Sequence, residues 1–330
     1  MKKILIIVIV LALIIIIVGI FSSKPDKPYV RSTARTFLMG FVPIPAQPLT
    51  TDNWLSAFDL FSKNSDLVMH HVHFDSGNIE GLNFITGMAT KYNLKTLIVI
   101  DPLSDDRTKI DPGLLALGKD FADQKVRDSY TNLAVKVATE YSPEFLSLGS
   151  EINTYLANNP SDATAFISLI EETNVQIKQA APGITTTLSL QYEELAGKTG
   201  KAEWEIAKQL NGTVDAIAFT TYPSAFFNSP EEIPSDYYSQ IKDNITAPLI
   251  IAESGWPSAG SHGSATKQKA FVEKLSQVSD DLKVKAWIWW FPHDWDGAGY
   301  AEVFKTMGLR KANGTPKSAW DSWVAIYRAN

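Results

Sequence analysis

From residue 37 onward, apolar runs of six to ten residues alternate with stretches in which apolar positions recur three and four apart. The runs fall at 37–44, 67–74, 94–103, 145–152, 184–191, 214–222, 248–253 and 284–291, eight in all. Continuous apolar runs of this length read as strands buried on both faces, the state of a parallel sheet covered by helices. The stretches between them carry helix spacing and start signals. Thr51-Asp52 precedes Trp54, Phe58 and Phe61; Ser161-Asp162 precedes Phe166, Ile167, Ile170 and Ile177; Ser264 precedes Phe271, Val272 and Leu275. Turn residues such as Ala181-Pro182-Gly183 stop a helix before the next strand.

Strand–helix alternation argues for parallel strands joined by crossover helices. Eight repeats suit a single closed (β/α)8 barrel, the TIM-barrel α/β class, better than an open doubly wound sheet. An open sheet would show a glycine-rich phosphate loop after its first strand, and here Pro43-Ile44-Pro45 follows instead. In a barrel, functional residues gather where strands end. The strand ends carry His71, His73 and Asp75; Asp101 to Arg107; Ser150, Glu151 and Asn153; Tyr192, Glu193 and Glu194; Tyr222; Glu253 and Trp256; and Trp289, Trp290, His293, Trp295 and Asp296. Such a rim is acidic and aromatic, with little that would hold a phosphate. Two of the buried runs, 145–152 and 248–253, each deliver a glutamate, and paired carboxylates are what sugar hydrolysis requires.

Composition narrows the remaining classes. A formal charge of −6 without a basic cluster argues against nucleic acid. With no cysteine in 330 residues, disulfides, thiolate metal sites and thiol nucleophiles are excluded. At the N-terminus, Lys2 and Lys3 precede an unbroken apolar run over 4–21. Its eighteen residues reach the lower limit for spanning a bilayer, and no small-x-small cleavage site follows. Residues 1–27 are therefore expected to be a membrane anchor or a signal segment, with the leading lysines cytoplasmic and the domain 28–330 outside the cell. A monomer is the expectation for that domain.

On Leu103-Ser104-Asp105, the run from Leu148 through Glu151 to Asn153, Thr221-Tyr222-Pro223 and Trp290-Phe291-Pro292, the sequence resembles the clan A retaining glycoside hydrolases. Among these it is similar to the family-53 arabinogalactan endo-β-1,4-galactanases, whereas Glu253-Ser254-Gly255-Trp256-Pro257 resembles the family-17 β-1,3-glucanases. The resemblance spans the second to eighth strands. It implies Glu151 as general acid/base, Glu253 as nucleophile, Tyr222 as the nucleophile's hydrogen-bond partner and Trp290 as the floor under the scissile sugar. It implies a polysaccharide or oligosaccharide substrate, galactan- or glucan-like, and no cofactor. A retaining mechanism needs the two carboxyl groups roughly 5 Å apart, and Glu151 should then keep its proton. Ser150 stands where the clan usually has a sugar-binding Asn, and the clan's strand-two arginine is replaced around His71.

Each residue also has a plainer reading. Glu151 fits a helix start, Glu253 a turn acid and Tyr222 strand-end packing, while Trp256 fits a plug under its loop as well as a sugar platform. Ser150, His71 and Asn153 join the expected sugar contacts. His71-x-His73 places two imidazoles on one strand face, a metal-site pattern, but no histidine follows on the fifth or sixth strand; the metal-dependent hydrolase is the weaker rival. A sugar-binding barrel without catalysis is the other. Glu193 and Glu194 are the substitute acids, and only one of two adjacent residues can face inward.

Overall fold

The computed structural model describes residues 33–74, 79–295 and 302–329, with the side chains of residues 73, 79, 80, 302 and 303 excepted. The expected anchor at 1–27, Asp75, Asp296 and the His73 side chain lie outside the described residues. Within them, no helix is long and apolar enough to cross a membrane.

Eight parallel strands close into a barrel in chain order: β1 Leu38–Phe41, β2 Leu67–His73, β3 Lys95–Asp101, β4 Phe145–Ser147, β5 Thr185–Gln191, β6 Ala216–Thr221, β7 Leu249–Ser254 and β8 Ala286–Trp289. Closure is made by β1 on β8, with Leu38 opposite Ala286 and Phe41 opposite Trp289. After each strand a helix returns the chain: α1 Thr51–Asn64, α2 Ile79–Lys91, α3 Gln124–Tyr141, α4 Ala163–Ala180, α5 Trp204–Leu210, α6 Gln240–Asn244, α7 Ala265–Leu282 and α8 Ser318–Arg328. Local chemistry sets several starts. Thr50 caps α1 by accepting from the Asn53 amide at 3.2 Å, and Ser264 caps α7 from the Lys267 amide at 3.1 Å.

Every strand run of the sequence reading corresponds to an observed strand, but the ends are shorter. β4 stops at Ser147, although the apolar run continues to Ile152. The cause is a turn: Gly149 adopts φ +140°, where a side chain would collide with Ile152, and Glu151 is itself left-handed at φ 53°.

The barrel interior is filled by Leu67, Met69, Leu97, Val99, Phe145, Ile250 and Ile288. The bulk of Phe145 and Met69 is accommodated because β6, β7 and β8 contribute Ala216, Ala218, Ala252 and Ala286. Two residues further along each strand, on the same face, the inward positions turn polar or amphipathic. Met69 gives way to His71, Val99 to Asp101, Phe145 to Ser147, Ala218 to Thr220, and Ile288 to Trp290. A dry plug thus supports a polar mouth.

One strand breaks this alternation. Phe219 pairs with Ile251, but the next residue, Thr220, pairs with Glu253, so β7 carries one extra residue there. With Ala252 in the core, simple alternation would turn Glu253 outward. The bulge turns it inward instead, the service such irregularities commonly perform beside active sites.

Outside the barrel, α8 is seated by Trp323, which is fully buried, packs on Phe41 at 4.5 Å and Trp287 at 5.0 Å, and donates Nε1–H to the Asn64 carbonyl. Replacing Trp323 by Ala should destabilise the protein by about 3–5 kcal/mol, read as a lower urea midpoint at unchanged m-value.

Candidate active site

The mouth of the barrel holds a cleft of about 390 Å³ lined by both Glu151 and Glu253, together with Arg107, Glu194, Tyr222 and Trp290. Glu253 is 7% exposed. Its Oε2 accepts from the Tyr222 hydroxyl at 3.0 Å, and its Oε1 lies 3.4 Å from His71 Nε2. Glu151 Oε1 accepts from the Thr220 hydroxyl at 2.6 Å. Thr220 is also the backbone strand partner of Glu253.

Sequence reasoning placed Arg107 at the rim, in the stretch from Asp101, but gave it no role. The segment after β3 folds back as a small hairpin, with Leu103 bridged to Ile110 and its turn held by Asp106 accepting from Ser104 Oγ and the Thr108 amide. Arg107 takes φ 58° in that turn. Its guanidinium meets Asp101 Oδ2 at 2.6 Å and lies 3.7 Å from Glu151 Oε2. The available signal was Asp101, a carboxylate at the inward end of a buried strand. Such a charge needs a cation, and the next arginine is six residues on.

The electrostatics follow from this crowding. Burial pushes Glu253 up to about 7, against the lowering effect of Arg107 and of the Tyr222 hydrogen bond. Glu151 is raised by burial and then by the negative charge of Glu253, with Arg107 and Thr220 opposing. The negative charge of Glu253 thus favours the protonated form of Glu151. Burial works against the charge of Arg107, but Asp101, Glu151 and Glu253 outweigh it and raise its pKa.

Around this centre the other expected residues divide. Trp290 lines the cleft over the apolar plug, edge-on to His71 at 5.7 Å, and its buried Nε1 has no hydrogen-bond partner among the described residues. Trp289 points the other way, donating to the Met307 carbonyl. Glu194 lines the cleft while Glu193 is fully buried behind it, accepting from Thr221 Oγ1 at 2.7 Å and the Tyr222 amide at 3.2 Å. Burial raises Glu193 to about 7.

Three expected sugar contacts are corrected. Trp256 is fully buried, packs on Phe271 at 5.2 Å and donates to the His262 carbonyl, so it is the plug under its loop. Asn153 is buried and saturated: its Oδ1 accepts from the Gln191 amide and its Nδ2 donates to Glu203 at 2.9 Å, which ties the 152–158 helix to the end of β5. Ser150 is buried against Ser189, whose hydroxyl donates to it at 3.3 Å. The suggested sugar contact at His293-Asp294 is also replaced by structure, since His293 Nδ1 faces the Ile44 carbonyl at 2.9 Å and Asp294 pairs with Lys317 at 2.5 Å. Among the described residues, no group of three or more His, Asp or Glu is placed to hold a metal.

Two glycines are dictated by this arrangement. Gly149 supplies the left-handed turn that presents Glu151, and Gly255 allows close approach behind Glu253. A Cβ at Gly255 would stand 2.7 Å from Met307 Sδ and 3.2 Å from the Tyr222 ring.

Fold and site together define a (β/α)8 barrel with paired carboxylates at the C-terminal mouth. No family model and no curated protein matches the sequence. Solved structures do match in fold. A GH5_18 protein from Streptomyces cattleya in complex with GlcNAc aligns with a TM-score of 0.68 at 16% identity, over 90% of this chain and 80% of that one. A GH5_18 variant from Bifidobacterium longum subsp. longum in complex with Manb1-4GlcNAc gives 0.67 at 14%, over 88% and 78%. The exo-β-1,4-mannosidase Op5Man5 from Opitutaceae bacterium strain TAV5 gives 0.68 at 13%, over 93% of this chain and 62% of that one. At such identities the likeness is one of fold.

The raised carboxyls make stability depend on pH in a definite direction. Glu193 and Glu253 bind protons more tightly folded than unfolded, so their contribution is full below about pH 4.5 and is lost as pH rises through about 7. Urea unfolding should show stability declining across that window, by on the order of 3 kcal/mol per group at most. The Glu193→Gln/Glu253→Gln double variant should flatten the decline.

Proposed function

We propose that the protein is a retaining glycoside hydrolase acting on a β-linked polysaccharide or oligosaccharide. The observation that carries this reading is the convergence of Glu151 and Glu253 on one buried cleft beside Arg107. In the first step Glu253 attacks the anomeric carbon while Glu151 gives its proton to the departing oxygen; the glycosidic bond breaks and a glycosyl ester forms. In the second, Glu151 takes a proton from water, the water oxygen bonds to the anomeric carbon, and the ester to Glu253 breaks.

The supporting residues have matching tasks. Tyr222 and His71 hold Glu253 from two sides, and Arg107 steadies the charge that moves between the carboxylates. Trp290 offers a ring face to the sugar. Galactan- and glucan-like substrates come from the sequence resemblance; the neighbours' ligands, GlcNAc and Manb1-4GlcNAc, add hexosamine- and mannose-containing ones. The apolar run at 4–21 would direct the barrel outside the cell, as a membrane anchor or as a removed signal.

Hydrolysis of aryl β-glycosides, followed by NMR of the first-formed anomer, tests the reading. The product should retain the β configuration. Glu253→Ala should lower kcat/KM by about 10⁴-fold or more, with azide restoring turnover as the α-glycosyl azide. Glu151→Ala should lower it by about 10²–10⁴-fold. Full activity in Glu253→Ala, or an inverted product, would reject the assignment. Because Glu253 must be ionised in the free enzyme, kcat/KM should fall about tenfold per pH unit below about 7.

A further inference from the structure

Glu193, just past the end of β5, is fully buried and takes no part in the two chemical steps. What meets its carboxyl is a set of donors. Oε1 accepts from Thr221 Oγ1 at 2.7 Å, while Oε2 accepts from Gln191 Nε2 at 2.8 Å and from the Tyr222 amide at 3.2 Å. With the single Thr221 proton directed at Glu193, Tyr238 donates its own to Thr221 Oγ1, at 2.9 Å. The Tyr238 ring stacks on buried Tyr192 at 4.9 Å, which closes the cradle from outside. A buried carboxylate with three donors is held in one orientation, and it holds the donors in return.

Those donors belong to the segments that carry the two acids. Three successive residues at the end of β6 each bond a different glutamate: Thr220 donates to Glu151 at 2.6 Å, Thr221 to Glu193, and Tyr222 to Glu253 at 3.0 Å. Thr220 and Tyr222 point into the mouth, and Thr221, between them, turns to the other face. Glu193 thus grips the middle residue by its hydroxyl and the next by its amide. On its other side, Gln191 is fastened to the 152–158 helix that follows Glu151. Asn153 Oδ1 accepts from the Gln191 amide at 2.7 Å, and Asn153 Nδ2 donates to the Gln191 carbonyl at 3.2 Å. The support under Glu253 and the support beside Glu151 therefore meet at one carboxyl.

We propose that Glu193 is a positioning residue that sets the separation of Glu151 and Glu253. The proposal rests on the retaining-hydrolase reading, in which that separation must stay near about 5 Å. Displacing reacting groups by about 1 Å can lower a rate by about a hundredfold. Two substitutions separate this role from mere filling of space. In Glu193→Gln the amide NH2 can face Thr221, whose hydroxyl is free to turn toward Tyr238, so the remaining oxygen still accepts from Tyr222 and Gln191. Glu193→Met has similar length but leaves the Tyr222 amide, which cannot turn, without an acceptor.

Steady-state kinetics of the full chain on an aryl β-glycoside, with urea unfolding as the check on folding, tests this. Glu193→Met should lower kcat by about 10–100-fold with KM within about threefold, and Glu193→Gln should keep kcat within about threefold. In a Tyr222→Phe background the further loss from Glu193→Met should shrink to within about twofold, because both changes act on the same bond to Glu253. Thr221→Val removes one donor at nearly constant shape; it should lower kcat by about threefold or more, again not in the Tyr222→Phe background, and it decides the matter should Glu193→Met not fold. A readout without substrate is the titration of the Glu253 carboxyl. Tyr222→Phe removes a hydrogen bond that lowers its midpoint, so the midpoint should rise, and by less than about half as much when Glu193→Met or Thr221→Val is present. Full kcat in Glu193→Met and Thr221→Val, equal losses in Glu193→Gln and Glu193→Met, or losses that multiply with that of Tyr222→Phe would overturn the proposal. Failure of the hydrolase reading shows separately, as unsubstituted protein that cleaves no glycoside, and the midpoint comparison then still decides the role of Glu193.

Discussion

The site depends on one arrangement: two carboxyl groups and a guanidinium held together above an apolar plug. Phe145, Met69, Val99 and Ile288 fill the barrel below, so water cannot solvate Glu253 from that side. Burial then raises both glutamates, and Arg107 sets the limit on how far. The guanidinium favours the charged form of both acids and so opposes the burial that would keep them protonated. Asp101 in turn fixes Arg107, at 2.6 Å, from the end of a strand that the plug itself positions. Core packing and acid–base behaviour are thus linked through the inward face of β3.

The backbone contributes as much as the side chains. Glu151 sits left-handed after Gly149, and Glu253 faces inward because β7 bulges beside Thr220. Both departures from regular geometry fall on the two acids, where strain and irregularity can be sustained by surrounding hydrogen bonds. Glu193 serves from behind: by accepting from Thr221 and the Tyr222 amide, it fixes the phenol that reaches Glu253.

Much of this was legible in the sequence, for identifiable reasons. Eight runs buried on both faces announce themselves by continuous apolar composition, and their number sets the barrel. Glu151, Glu253, Tyr222 and Trp290 were legible as polar or aromatic ends of such runs. The bulge was not, because Ala252 and Glu253 read as ordinary alternation and only pairing with β6 reveals the extra residue. The role of Arg107 was hidden because it lies in a polar loop whose hairpin brings it back over Asp101 and Glu151. Asn153, Ser150 and Trp256 were misjudged because a position near the rim does not say which way a side chain turns. Asn153 ties its helix to the end of β5, Trp256 is bonded within the loop after β7, and Ser150 packs on β5.

The direct test is a carbon-13 NMR titration of glutamate side-chain carboxyls, assigned through Glu151→Gln and Glu253→Gln. The resonance of Glu253 should titrate near pH 7, and that of Glu151 above the ordinary glutamate range. Either carboxyl titrating near 4.5, or a Glu253 resonance that stays put when Glu151 is replaced, would contradict a coupled pair held in one buried cleft.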